Sequence, residues 1–367
     1  MNKIFILALL ALLRLGGAAA AIEPDSVSEY GSPAAEASAT LRMQGATDPE
    51  FFAGLLSRFA ALNPGLHVVY EDITTNALNG LAVAACAGTA PSADLVVSSS
   101  VDQQVKLVND GCAQPHVSDA TAAMPTWASW RDELFGLTFE PIVMVYNRDL
   151  VPPGKVPTSR FDLIDLLRPD HNLFTGRIAT YDIEASGVGY LLAFADSQQA
   201  TTFGRLIEAF GRNDVVATCC FKEIVDGVAM GKYLLAYNMF ASYALARAAT
   251  DKRIGIVAPS DYTLVLSRAA FIPKAAANPD MAGALLDFAL SEEGKRILAS
   301  ASLMVSFTEE GGGAAPLLDG MPNLRPIAFS PVLLVGLDKE KRRLFLDLWN
   351  QSIRIVRSGM PPSLRTD

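Results

Sequence analysis

Residues 177–196 restrict the fold more than any other stretch of this chain. Ile178, Ala179, Thr180 and Tyr181 form a β-branched and aromatic run, a polar turn follows, and an apolar helical run begins at Ser186 and Gly187. A strand emptying through a short turn into a helix is the repeating unit of an α/β sheet. The turn also carries chemistry, because the first N–H groups of a helix lack intrahelical partners and sit at the positive end of its dipole. Such a start favours a carboxylate or phosphate, and Gly187 and Gly189 let a ligand approach the backbone closely. Ser186 reads equally well as a plain N-cap, and this stretch alone leaves both readings open.

The alternation extends along the chain. Residues 41–45 read as a strand, followed by a helix with Phe52, Leu55, Leu56 and Phe59 on one face. Residues 67–70 form the next strand and an alanine-rich helix runs from Leu78 to Gly88. The apolar run 93–97 then empties into Ser98, Ser99 and Ser100 before a helix over 101–109. The apolar run 142–146 reads as a strand crossing out of this unit, and residues 263–266 as one that returns. Between them lie helices at 162–167, 201–210 and 221–230 and the strand 234–238 with its helix 240–248. Helices at 280–290, 292–299 and 338–356 complete the pattern, with a glycine-rich stretch at 309–315. The expectation is an α/β protein with lobe 1 over 39–140 and 267–367, lobe 2 over 141–266, and a hinge at the two crossings. Ligands of such sheets sit beyond the carboxyl ends of the strands, which gathers Thr47, Ser98, Ser99, Ser100, Thr180, Tyr181, Ser186 and Gly187 as candidate site residues.

The chain's 367 residues, half of them hydrophobic, suffice for two domains. A net charge of −9 with no basic run interleaved with aromatics excludes nucleic acid as a partner. Lys3, the apolar run 4–13 and Ala19-Ala20-Ala21 read as a secretory signal peptide over 1–21, although Arg14 leaves an uncleaved anchor as an alternative. Residues 22–38, rich in Ala, Ser, Glu and Pro, read as a disordered leader. Cys86 and Cys112 are compatible with a disulfide or with buried thiols, whereas the adjacent Cys219 and Cys220 are not expected to bridge each other. Nucleophile-elbow, zincin, P-loop and dinucleotide fingerprints are absent, and His67, His116 and His171 are scattered. Catalysis is therefore disfavoured, and no cofactor is called for.

Ala93-Asp94-Leu95-Val96, Leu107-Val108-Asn109-Asp110-Gly111, Thr180-Tyr181-Asp182, Ser186-Gly187-Val188-Gly189-Tyr190 and the run from Tyr237 to Ala244 resemble type II periplasmic solute-binding proteins of ABC transport systems. The resemblance is to the group containing the phosphoglycerate transport regulatory protein and the ferric-binding proteins. It covers nearly the whole mature chain, with Ala241 standing where that group's motif has glycine. It implies a monomeric two-lobed periplasmic protein that clamps a solute noncovalently and presents it to an ABC permease or a membrane sensor kinase. By the same resemblance Tyr237, Asn238 and Ser242 join the candidate site. A small phosphorylated or carboxylated anion is the expected solute. Ferric iron held by Tyr237 and Tyr243 is the alternative, and a periplasmic hydrolase on the same fold is the third reading.

Overall fold

The computed structural model describes residues 22–170, 172–199, 201–218, 220–304 and 323–353. The signal segment, the glycine-rich stretch 309–315, His171 and Cys219 lie outside them. The first sheet contains β1 (Ser26–Gly31), β2 (Ala39–Gly45), β3 (Leu66–Asp72), β4 (Leu95–Ser98), β5 (Ala113–Gln114), β6 (Ser129–Trp130) and β7 (Leu134–Gly136). The second contains β8 (Glu140–Asn147), β9 (Ile178–Tyr181), β10 (Val216–Thr218), β11 (Leu235–Phe240), β12 (Ile254–Val257) and β13 (Thr263–Leu266). The chain then returns to the first sheet as β14 (Ala269–Pro273) and later to the second as β15 (Leu324–Pro326). Strand order is β1-β3-β2-β4-β14-β7-β6, with β5 beside β14, and β10-β9-β11-β8-β13-β15, with β12 beside β8. This is the mixed α/β, two-lobed architecture expected.

The two crossings run side by side. Val265 pairs with Pro141 and Leu266 with Glu140, and just beyond them the Leu137 N–H donates to the Arg268 carbonyl at 2.9 Å. Each lobe has its own apolar cluster. One is built on Phe52, Leu56 and Leu286, the other on Leu163, Phe174 and Phe210. A third, including Val96, Ile142 and Leu266, continues across the boundary.

Two expectations are corrected. Residues 26–31 are no disordered leader: they pair antiparallel with β3, Ser26 opposite Asp72 through Gly31 opposite His67. Their polar composition hides this, since an edge strand can be held by its backbone ladder with little apolar burial. The stretch 324–353 belongs to lobe 2, not lobe 1. β15 pairs in parallel with β13, and helix Lys339–Ser352 packs Phe345 against Tyr190, Phe194 and Phe203. Periodicity shows that the helix has an apolar face but not which lobe carries the matching one. Of the two readings left open for the cysteines the disulfide holds: Cys86 and Cys112 are bridged with Cα atoms 5.2 Å apart, and Cys220 is disulfide-bonded. The expectation that Cys219 does not bridge it falls on a residue outside those described. Among the described residues no helix is long and apolar enough to cross a membrane.

Candidate ligand-binding cleft

Between the lobes lies a cleft of about 210 Å³. Its wall is made of helix starts. Asp48, Thr74, Cys220 and Phe240 line it and are the N-caps of helices Pro49–Leu62, Thr75–Cys86, Phe221–Ala229 and Ala241–Thr250. Ser99 lines it one residue before Ser100, the N-cap of Val101–Asn109. Ser186 lines it immediately before Gly187–Gln199. Six helices from both lobes therefore begin at one cavity, as the topology of open α/β sheets requires at the carboxyl ends of their strands. The positive ends of their dipoles point at the cavity without a cluster of basic side chains.

Of the residues singled out in the sequence, Thr47, Ser99, Tyr181 and Ser186 line the cleft, as does Tyr243. Ser186 caps its helix, its Oγ accepting from the Gly189 N–H at 3.0 Å. The Gly187 N–H donates across the cleft to Thr75 Oγ1 at 3.0 Å. Around the same point, lobe 1's Asn76 Nδ2 donates to the Ala185 carbonyl at 2.8 Å and is itself oriented through its Oδ1 by Gln103 Nε2 at 2.8 Å. Tyr181 is buried, and its hydroxyl has no hydrogen-bond partner among the described residues.

The other residues serve the framework. Ser98 Oγ accepts from the Ser100 N–H, and Thr180 Oγ1 donates to the Tyr237 carbonyl. Tyr237 and Asn238 do not reach the cleft. The Tyr237 hydroxyl donates to Asp196 at 2.6 Å and accepts from Arg160 Nε at 2.7 Å, and Asn238 Nδ2 also donates to Asp196. The pair Tyr237 and Tyr243 is thus not assembled into one metal site, because the first hydroxyl is consumed by a buried Arg160–Asp196 ion pair. Ser242 donates to the buried carboxylate of Glu140.

Arg268, which the sequence did not flag, joins hinge and cleft. Its Nε donates to Glu140 Oε1 at 2.8 Å, its Nη2 to Glu140 Oε2 at 3.2 Å, and its Nη1 to Thr47 Oγ1 at 2.7 Å and the Ala46 carbonyl at 3.0 Å. Both members of the pair are almost fully buried, and Thr138 Oγ1 donates to Glu140 as well. The ends of β1, β2 and β3 bring Asp25, Asp48 and Asp72 to the cleft, and Lys222 and Phe221 come from lobe 2. Burial, with Asp48 and Asp25 nearby, pushes the Asp72 carboxyl up to about 7. Burial likewise raises Asp48 and holds the Tyr181 and Tyr243 phenols well above their ordinary range. Asp72 to Thr75 follow the same strand-end rule that picked out Ser98 to Ser100, so that signal was present in the sequence. Nothing in the sequence marks Arg268, since burial with a distant carboxylate leaves no local pattern.

The family model described as bacterial extracellular solute-binding protein matches residues 44–296. A substrate-binding protein of an ABC transporter from Agrobacterium tumefaciens is 35% identical, with a TM-score of 0.82 over 90% of this chain and 98% of that one. AfuA from Actinobacillus pleuropneumoniae, solved with fructose-6-phosphate, is 18% identical with a TM-score of 0.68, covering 86% of this chain and 99% of its own. Iron-bound HitA from Pseudomonas aeruginosa is 15% identical with a TM-score of 0.61, covering 86% of this chain and 99% of its own. These last two share the fold alone. No curated protein matches the sequence. The family model spanning most of the chain, together with a 35% identical relative aligned over nearly all of it, establishes that this chain belongs to the bacterial extracellular solute-binding proteins.

Proposed function

We propose that the protein captures a small organic anion, a phosphorylated or carboxylated metabolite, between its lobes and delivers it to an ABC permease after export through the 1–21 signal segment. The observation that carries this reading is the convergence of six helix starts on one cleft. Backbone N–H groups and dipole ends hold an anion without a metal, and the hydroxyls of Thr47, Ser99 and Ser186 supply neutral donors around it. Periplasmic protein beginning at Ile22 should be colourless and should gain thermal stability in a screen of phosphate esters and carboxylates. A ligand at a hundred times its Kd adds about 2.7 kcal/mol. A chelator-sensitive tyrosinate-to-iron colour would move the reading to ferric iron, and consumption of the solute would move it to catalysis.

Closure can be tested separately. A Cβ at Gly187 would lie 2.6 Å from Ser100 Oγ, 2.7 Å from Gln103 Nε2 and 2.8 Å from Asn76 Oδ1, all in lobe 1. Gly187→Leu is therefore expected to wedge the lobes apart. If the closed form falls to about 1% of the population, apparent affinity drops about a hundredfold. Calorimetry measures the loss, and small-angle scattering should show a larger radius of gyration in the presence of ligand. Unchanged scattering and affinity would mean that these contacts do not define the binding-competent state.

A further inference from the structure

The anion reading leaves one side of the cleft unused. Asp48, at the start of helix Pro49–Leu62, and Asp72, at the end of β3, face the same cavity as Ser186 and Tyr181, and Asp25 stands beside them. Among the described residues the cations lining the cleft are Arg268 and Lys222. Arg268 is already neutralised by Glu140, to which it donates twice, so three carboxylates face one uncommitted positive side chain. Asp72 is partly satisfied by the Thr47 N–H, yet burial and its acidic neighbours still resist its ionisation. A dianion filling this cavity would meet them directly, since two unit charges about 4 Å apart repel by about 4 kcal/mol at an effective dielectric near 20.

A second observation also calls for a ligand. The Tyr181 hydroxyl is buried in the cleft wall without a partner among the described residues, and a buried polar group left unsatisfied is unfavourable. It belongs to lobe 2, as Ser186 does, whereas the carboxylates belong to lobe 1. Helix starts lie on both walls, but the three carboxylates are confined to lobe 1, whereas lobe 2 presents Ser186, the Tyr181 hydroxyl and Lys222.

We infer that the solute is a small zwitterion whose anionic end meets Ser186 and Tyr181 and whose ammonium end is received by Asp48 and Asp72. This rests on the anion reading and narrows it. Closure then brings each lobe its own end of the ligand, so a molecule with one charged group satisfies one wall and leaves the other unpaired.

Four probes separate the possibilities by calorimetry: three phosphates of similar size, phosphoethanolamine, 2-hydroxyethyl phosphate and phosphoglycolate, and ethanolamine, which carries the ammonium arm alone. Phosphoethanolamine is expected to bind at least tenfold tighter than each of the others. In Asp72→Asn, and independently in Asp48→Asn, its advantage over 2-hydroxyethyl phosphate should shrink to within about threefold, with melting curves confirming that each variant is folded. If 2-hydroxyethyl phosphate or phosphoglycolate binds as tightly as phosphoethanolamine, the zwitterion inference is overturned and the anion reading stands. If ethanolamine binds as tightly, the anion reading itself falls. Binding of none of the four overturns both for solutes of this size, and an advantage retained in both variants overturns the role of the two carboxylates.

Discussion

Arg268→Ala is expected to cost about 3–5 kcal/mol of stability, the range found when one partner is removed from a buried ion pair. In melting temperature this is on the order of 10 °C. The loss arises mainly from what remains. Glu140 is fully buried and would keep hydroxyl donors from Thr138 and Ser242 but no cation. The same change strips Thr47 Oγ1 and the Ala46 carbonyl of a donor, loosening the segment that leads into the first cleft helix. Glu140→Gln should be destabilising as well, because its amide NH2 would face donors, either Arg268 Nε and Thr138 or Arg268 Nη2 and Ser242, and Arg268 would stay buried without a counter-ion. Chemical denaturation of the apo protein measures both. A loss below about 1 kcal/mol for Arg268→Ala would show that the pair does not hold the crossings together.

Ser186→Asp is expected to reduce anion affinity roughly a thousandfold while leaving the apo protein's melting temperature nearly unchanged. Aspartate caps a helix as well as serine does and its charge suits the dipole, so the bond to the Gly189 N–H has a replacement acceptor. The carboxylate, however, would occupy the place of the ligand's own charge. A repulsion of about 4 kcal/mol at about 4 Å and an effective dielectric near 20 corresponds to that thousandfold loss. Ser186→Asn, a neutral cap of the same shape, should bind within about tenfold of the natural protein. If Ser186→Asp retains affinity within about threefold, the helix start at Ser186 is only a cap.

Much of this arrangement was legible in the sequence because strand ends and helix starts have local signatures. The apolar run ending at Val97, the serines after it, and the glycines after Ser186 each announce their place in an α/β sheet. The crossings at 142–146 and 263–266 were legible for the same reason, as apolar runs flanked by turns. Composition misled at residues 26–31, where backbone pairing rather than side-chain burial makes the strand. Tyr237 and Asn238 were drawn into the site by motif likeness, whereas Asp196, some forty residues earlier in the chain, holds both in the interior of lobe 2. Arg268 and Glu140 lie 128 residues apart, and only the antiparallel meeting of the crossings makes them partners.

The return of residues 324–353 to the second sheet has a further consequence for how this molecule could be rebuilt or recombined. Residues 140–266 have the outline of an insertion, yet the unit they form is completed by a strand and a helix encoded after lobe 1 has finished. Excised alone, it would expose the edge of β13 and the Tyr190, Phe194 and Phe203 face that Phe345 covers. A chimera exchanging this lobe between relatives must therefore carry two distant gene segments together, and variation in the tail is constrained by aromatic residues encoded far upstream, at 190, 194 and 203.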